Sequence, residues 1–294
     1  MTLLGKKDKK IVVIVGDISH GVLKPFRENF PKRYFNIGIL EPSMVNVAAG
    51  LSITGLNPIV HTIAPFLIER SYEQIKLDFG YQKLNINLVS VGGTFDYSKL
   101  GCSHHCYSDV ALIKQLKNSQ IFIPGSSEEF RIQFLKNYKK SKINYFRLTE
   151  NPHNLSIDTK KINKNPILFK KGNKITLIAL GPKLKETVEA SKELEKIKIS
   201  CQILYVNQIT QINYKRLSKL INKTKNFLCV EELSDKGGLY EECLKATKDL
   251  QSIRSDQIAI KDFIHNYGEY HEIAKSNGFS SKNIYKLCIK MLSN

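Results

Sequence analysis

Short β-branched apolar runs alternate with helix-length segments along almost the whole chain, and that alternation leaves few folds open. In the first half, strands are predicted over Ile11–Val15, Tyr34–Ile39, Pro58–Ile63, Ile86–Val91, Ile121–Pro124 and Asn144–Leu148. Between them lie helical segments over Val22–Phe30, Pro42–Thr54, Pro65–Phe79, Asp109–Leu116 and Ser127–Lys139. The second half repeats the scheme with strands Ile175–Leu180, Cys201–Val206, Phe227–Glu231 and Gln257–Ile260. Its helices are Lys183–Lys196, Tyr214–Lys223, Leu239–Thr247, Glu269–Asn277 and Ser281–Leu292. Strands linked through helices run parallel and are covered on both faces. The polar, Lys- and Asn-rich stretch Asn151–Asn165, with Pro152 inside it and Pro166 just after it, reads as a linker. The expectation is an α/β chain of two three-layer αβα domains, each with a mostly parallel sheet: residues 1–152, a linker over 153–165, and residues 166–294.

Within this pattern the run Phe35-Asn-Ile-Gly-Ile-Leu-Glu-Pro-Ser-Met-Val-Asn-Val-Ala-Ala-Gly50 places a single carboxylate, Glu41, between a strand and a helix. Pro42 suits the first helical position, where a missing N–H costs nothing. Met44, Val47, Ala48 and Leu51 then repeat at helical spacing, while Ala49 and Gly50 allow another backbone to come close. Open α/β sheets place their ligand crevices at this edge. Glu41 therefore reads either as a functional carboxyl or as a helix-N-terminal acid held by the dipole.

The same run resembles the pyrimidine-binding domain of the transketolase family, whose members use thiamine diphosphate. Gly38-Ile39-Leu40-Glu41, Met44-Val45 and Ala48-Ala49-Gly50-Leu51 fit the family pattern, with Pro42 standing where glutamine is usual. The likeness continues through His61-Thr62, Phe66, Arg70-Ser-Tyr-Glu-Gln-Ile75 and Gly101-Cys-Ser-His-His105 with Asp109. It resumes at Val230-Glu231-Glu232 and Gly237-Gly238-Leu239. Order and spacing together carry it, rather than any one motif.

The resemblance implies roles. Glu41 would be the carboxyl that hydrogen-bonds the aminopyrimidine ring of the cofactor and governs its protonation, a task suited to a poorly solvated acid. Phe66 falls where the family stacks an aromatic on that ring, although a core phenylalanine reads the same way. Ile63 replaces a usual aromatic in the ring pocket, and Arg70 lies beside it as a cofactor neighbour or a structural residue. His104 matches a substrate-facing, catalytic histidine able to donate to a hydroxyl or move a proton near neutral pH, with His105 next to it in the substrate-binding run. Asp109 reads as a helix cap.

What the chain omits is equally informative. Relatives hold the cofactor's diphosphate and Mg²⁺ on a separate domain with a Gly-Asp-Gly…Asn motif, and no Gly-Asp-Gly occurs in this sequence. The resemblance thus implies a split enzyme: this chain as the C-terminal subunit, an N-terminal diphosphate-binding subunit as partner, and self-association as a dimer of two-chain units. Leu100 stands where sugar-processing relatives often carry an acid, Glu150 lies near the expected place of a phosphate-holding arginine, and the helix and arginine expected before the first strand are missing. Losing cations and gaining an acid disfavours a phosphorylated sugar end. The expected reaction is transfer of a two-carbon ketol unit between sugars, with an unphosphorylated or nucleotide-linked substrate in a specialised carbohydrate pathway. The β subunit of a 2-oxo-acid dehydrogenase first component and a non-catalytic scaffold or regulatory relative are the alternatives.

Composition narrows the remaining classes. The formal charge of +18 comes from scattered lysines, with only seven arginines, so nucleic-acid binding is not expected. No apolar run reaches the ~18 residues of a membrane helix, and the lysine-rich first ten residues lack the apolar core of a secretory signal. Six cysteines without framework spacing read as reduced thiols of a cytoplasmic protein. Cys102-Ser-His-His-Cys106 has metal-ligand residue types but no second ligand pair, so no metal site is expected in the chain.

Overall fold

A computed structural model describes residues 1–140 and 142–293. The order of elements begins α1 (Thr2–Lys7), β1 (Ile11–Val15), α2 (His20–Asn29), β2 (Tyr34–Asn36), α3 (Glu41–Ile53) and β3 (Asn57–Ile63). A π-helical turn, Pro65–Glu69, follows, then the single turn α4 (Tyr72–Gln74) and a second π-helical stretch, Ile75–Tyr81. The first half closes with β4 (Ile86–Val91), α5 (Asp109–Lys114), β5 (Ser119–Phe122), α6 (Ser127–Asn137) and β6 (Ile143–Arg147).

The second half comprises β7 (Ile167–Lys170), β8 (Ile175–Leu180), α7 (Leu184–Lys196), β9 (Cys201–Val206), α8 (Tyr214–Ile221) and β10 (Asn226–Ser234). It ends with α9 (Leu239–Thr247), β11 (Arg254–Ile260), α10 (Tyr270–Ser276) and α11 (Ser281–Ser293). The first sheet is six-stranded and parallel throughout, in the order β2-β1-β3-β4-β6-β5. The second has five strands in the order β11-β10-β8-β9-β7, parallel except that β7 runs against β9. The expected pair of covered, mostly parallel sheets is the observed fold class.

The faces of the first sheet explain where the site forms. Val12, Ile14, Val60 and Leu88 face the helix α3 through Met44, Val45 and Ala48, whereas Val13, Ile59 and Val89 face the opposite layer through Leu23, Phe26 and Phe134. Side chains that alternate along a strand reach opposite layers, so each face has its own core. The core on the α3 side continues into Ile178, Leu180, Leu204 and Val206 of the second half, where the halves meet. Glu129 sits buried at that junction and accepts hydrogen bonds from Tyr205 Oη at 2.7 Å and Asn207 Nδ2 at 2.7 Å, with His153 Nε2 2.9 Å away.

The structure departs from the sequence reading in four places. The strand expected to reach Ile39 stops at Asn36, whose Oδ1 takes the N–H groups of Asp17 and Gly38 and turns the chain out of the sheet. The helix expected over Pro65–Phe79 is broken into π-helical and α-helical turns. A helix does precede the first strand: α1 seats Gly5 against Phe26 and Phe30, and Arg33 donates to the carbonyls of Gly5 and Asp8 at 2.8 and 2.9 Å. Finally, β7 forms an antiparallel edge beside the linker. Among the described residues no helix is long and apolar enough to cross a membrane.

Candidate active site

The site forms at the C-terminal edge of the first sheet, where β2 gives way to α3. Gly38, at φ 78°, lets the chain reverse between Asn36 and Leu40. Glu41 then opens the helix ahead of Pro42, and its side chain is only 1 % exposed although Ile39 and Leu40 beside it are 67 % and 56 % exposed. A buried carboxylate rimmed by solvent-facing aliphatics has no solubility role.

Its partner comes from the π-helical turn after β3. There the Arg70 N–H donates to the Pro65 carbonyl at 3.0 Å, an i to i+5 bond. One extra residue per turn swings the following side chain sideways, a feature that recurs at functional sites. Arg70 Nη1 lies 2.9 Å from Glu41 Oε2. The same guanidinium sits over the ring of Phe66, 4.2 Å from its centroid. Phe66 in turn meets His104 edge-on at 5.1 Å between ring centres. Glu41, Arg70, Phe66 and His104 thus form one contiguous chain of contacts from three segments.

The His104 loop is held by tight turns. His104 Nδ1 is 3.0 Å from Ser103 Oγ. Gly101, at φ 74°, backs onto Tyr267 so closely that any β-carbon would sit 2.0 Å from the ring. Gly92, at φ 81°, is packed in the same manner against Tyr97, whose ring stands edge-on to His104 at 6.3 Å. Burial, and then the Arg70 charge, pull the His104 pKa below the ordinary histidine value, so its ring is neutral near pH 7. Tyr97 donates to Glu150 Oε1 at 3.4 Å, and burial followed by the Glu150 charge pushes its pKa up to about 12. Glu150 thus connects to the His104 loop only through Tyr97. Leu100 is 56 % exposed.

The other sequence candidates fall as follows. Ile63 is half-buried at the end of β3, with its Cγ2 against Gly92. His105 turns inward: it is buried, its ring edge-on to Phe95 at 6.3 Å, and burial and then His104 lower its pKa. Asp109 opens α5 without capping it, since Ser108 holds the cap position. Its fully buried carboxylate accepts from Arg147 Nε at 2.8 Å and from Tyr145 Oη at 2.5 Å. Arg147 also donates to Thr94 Oγ1 at 2.6 Å and to the Cys106 carbonyl at 2.7 Å, bracing the backbone behind the His104 loop.

Glu69 escaped the sequence reading as a site residue. Although Glu69 as a whole is exposed, Cys106 Sγ donates to its Oε1 at 3.8 Å, and partial desolvation of the carboxyl together with the neighbouring Asp109 charge pushes its pKa up to about 7. Only the adjacent Arg70 motif hinted at it. Cys106 is buried while Cys102 is exposed, so the Cys-Ser-His-His-Cys run does not converge. Among the described residues no group of three or more His, Cys, Asp or Glu side chains could hold a metal ion.

These side chains have the chemistry that one end of an aminopyrimidine cofactor would need. A desolvated carboxyl and half-buried Ile63 and Phe66 offer a hydrogen-bonding wall and an apolar one to a flat heterocycle.

Two family models match the chain: the transketolase pyrimidine-binding domain over residues 1–154 and the transketolase C-terminal domain over residues 165–284. An apulose-4-phosphate transketolase subunit of Actinobacillus succinogenes is 32% identical over 233 residues, which cover 78% of this chain and 74% of that one. A putative transketolase C-terminal section of Methanocaldococcus jannaschii is 28% identical over 96% of this chain and 90% of its own. A solved split-gene transketolase, described as an inactive beta4 tetramer, superposes with a TM-score of 0.88 at 27% identity, over 99% of this chain and 95% of that one.

Proposed function

This chain belongs to the transketolase family, and we propose that it is the C-terminal subunit of a two-chain, thiamine-diphosphate-dependent enzyme that moves a two-carbon ketol unit between sugars. The observation that carries the reading is the buried Glu41 carboxylate at the start of α3, linked through Arg70 to Phe66 and from there to His104. Relatives named as transketolase subunits support the two-chain arrangement. In this reading the chain consists of a pyrimidine-binding domain (1–152), a linker (153–165) and a C-terminal domain (166–294). It acts in the cytoplasm as a dimer of two-chain units.

Glu41, Ile63, Phe66 and Arg70 would hold the aminopyrimidine end of thiamine diphosphate, and the partner subunit would hold the diphosphate and Mg²⁺. When bound, the cofactor supplies the electron sink that lets a carbon–carbon bond beside a sugar carbonyl break. Glu41, only 1 % exposed, would hydrogen-bond a ring nitrogen of that cofactor out of reach of bulk water. Arg70 orients that carboxyl and fixes Phe66. Neutral His104 donates to, or accepts from, a sugar hydroxyl, and Tyr97 limits its movement. The exposed apolar side chains Ile39 and Leu40 would be covered by the partner, which excludes water from the crevice.

The substrate end is less cationic than a phosphate demands. Leu100 offers no charge, and Glu150 connects to the His104 loop through Tyr97. An uncharged, unphosphorylated sugar end fits these residues better than a sugar phosphate. The test is turnover by the chain mixed with a diphosphate-domain subunit, thiamine diphosphate and Mg²⁺, over paired phosphorylated and unphosphorylated ketoses. Preference for the free ketose supports this substrate class, and equal turnover of ordinary pentose phosphates contradicts it.

A further inference from the structure

A second constellation lies on the other face of the same sheet, where α2 and α6 cover β1, β3 and β4. His61, in β3, points away from α3 because it shares the parity of Ile59, which faces that layer. Its Nδ1 is 2.7 Å from the carbonyl oxygen of Val89, its cross-strand neighbour, and its Nε2 is 2.7 Å from Ser19 Oγ. A carbonyl can only accept, so Nδ1 carries the hydrogen and Nε2 is left as the acceptor of the Ser19 hydroxyl. The tautomer is thereby the one a general base requires. Burial lowers the His61 pKa, which keeps the ring neutral near pH 7.

Ser19 itself is unusually placed. It stands in the strand–turn–helix connection between β1 and α2, within Asp17-Ile18-Ser19-His20-Gly21. Its backbone is left-handed, with φ 60° and ψ 29°, a costly conformation for a residue with a β-carbon. It makes no side-chain cap to α2, so its hydroxyl is spent on His61 and the first amides of the ten-residue helix remain beside it. The placement in a strand–turn–helix connection is shared with nucleophile elbows, although Ser19 follows β1 by four residues and Asp17 stands where such elbows carry a first glycine. A cavity of ≈ 170 Å³ opens against the pair, walled by Leu23, Phe130, Phe134 and Leu148.

We propose that Ser19 and His61 form a serine–histidine dyad that cleaves small esters of apolar carboxylic acids, with the acyl group seated in this cavity. Ser19 Oγ attacks the acyl carbon while its proton passes to His61 Nε2. The alcohol leaves with that proton. Water, deprotonated by the same nitrogen, then releases the carboxylic acid and frees the serine. The dyad shares no residue with the Glu41 crevice and does not depend on the reading of that crevice.

The test is an alkyl fluorophosphonate, which phosphonylates a serine activated in this way with loss of fluoride. The full chain is treated with the probe and the adduct located by peptide mass spectrometry. The dyad predicts an adduct on Ser19, none in Ser19→Ala, and a rate about a hundred-fold lower in His61→Gln. It also predicts that labelling of the unmodified chain rises with pH through one titration below the ordinary histidine value, a readout that does not rely on a variant folding. Absence of an adduct on Ser19 in the folded chain overturns the proposal. So does a labelling rate that is flat with pH across that range or equal in folded His61→Gln.

Discussion

Arg70 Nη1 lies 2.9 Å from Glu41 Oε2, and this one bond ties the π-helical turn after β3 to the first residue of α3. Glu41 is almost fully buried, whereas the Arg70 side chain is 45% exposed. Removing the cation therefore strands a desolvated carboxylate. Arg70→Leu is expected to lower stability by about 1–3 kcal/mol, the usual cost of an unsatisfied buried polar group. Urea unfolding measures it, and an unchanged midpoint would mean that water replaces the guanidinium without loss.

The Arg70 charge also acts on His104. Burial is the larger reason its pKa is depressed, and the guanidinium adds to it. Arg70→Gln should raise the His104 midpoint toward the ordinary histidine value, read from its ring proton shifts by NMR. No shift would place Arg70 outside the electrostatic environment of the site.

Glu69 predicts a pH dependence with a definite sign. Its folded pKa is about 7, above the ordinary value of 4.5, so the folded state binds more protons than the unfolded state between those limits. Its contribution to stability accordingly falls as pH rises from about 4.5 to 7 and is level outside that window. Glu69→Gln removes this contribution, and the difference between the two urea-midpoint curves should follow that shape. A constant difference across the window would show that Glu69 titrates normally.

Glu129 is the acceptor that joins the halves, with Tyr205, Asn207 and His153 all directed at one buried carboxylate. Glu129→Ala leaves those groups facing each other without an acceptor. A loss of about 1–3 kcal/mol is expected, the usual cost of leaving buried hydrogen-bonding groups unsatisfied. Glu129→Gln should lose less, because its amide oxygen still accepts. Equal loss in both variants would indicate that the charge, rather than the hydrogen bonds, holds the junction.

The residues legible in the sequence were those whose place follows from local pattern. Glu41 announced itself because a strand and a proline-started helix bracket it, and Phe66 and His104 because the family motif fixes their spacing. The alternation of apolar runs gave both sheets, since strands buried on both faces differ from amphipathic helices at the level of single residues. What was hidden depends on distant partners. Asp109 looked like a helix cap because Arg147, its ion-pair partner, lies 38 residues on. Glu129 and Ser19 likewise acquire meaning only through Tyr205 and His61. The π-helical turn was missed because its one-residue slip leaves the hydrophobic period nearly intact, and β7 because a four-residue antiparallel edge carries little pattern of its own.

The proposed shared active site is built around Glu41, which pairs with Arg70 and through it connects to Phe66 and His104. The most direct test compares this chain with Glu41→Gln, each mixed with the diphosphate-binding subunit, thiamine diphosphate, Mg²⁺ and a ketose donor and aldose acceptor. Ketol transfer by the unmodified pair, reduced at least about a hundred-fold in the variant while the two chains still assemble, is the predicted result. Equal turnover in both mixtures would contradict it.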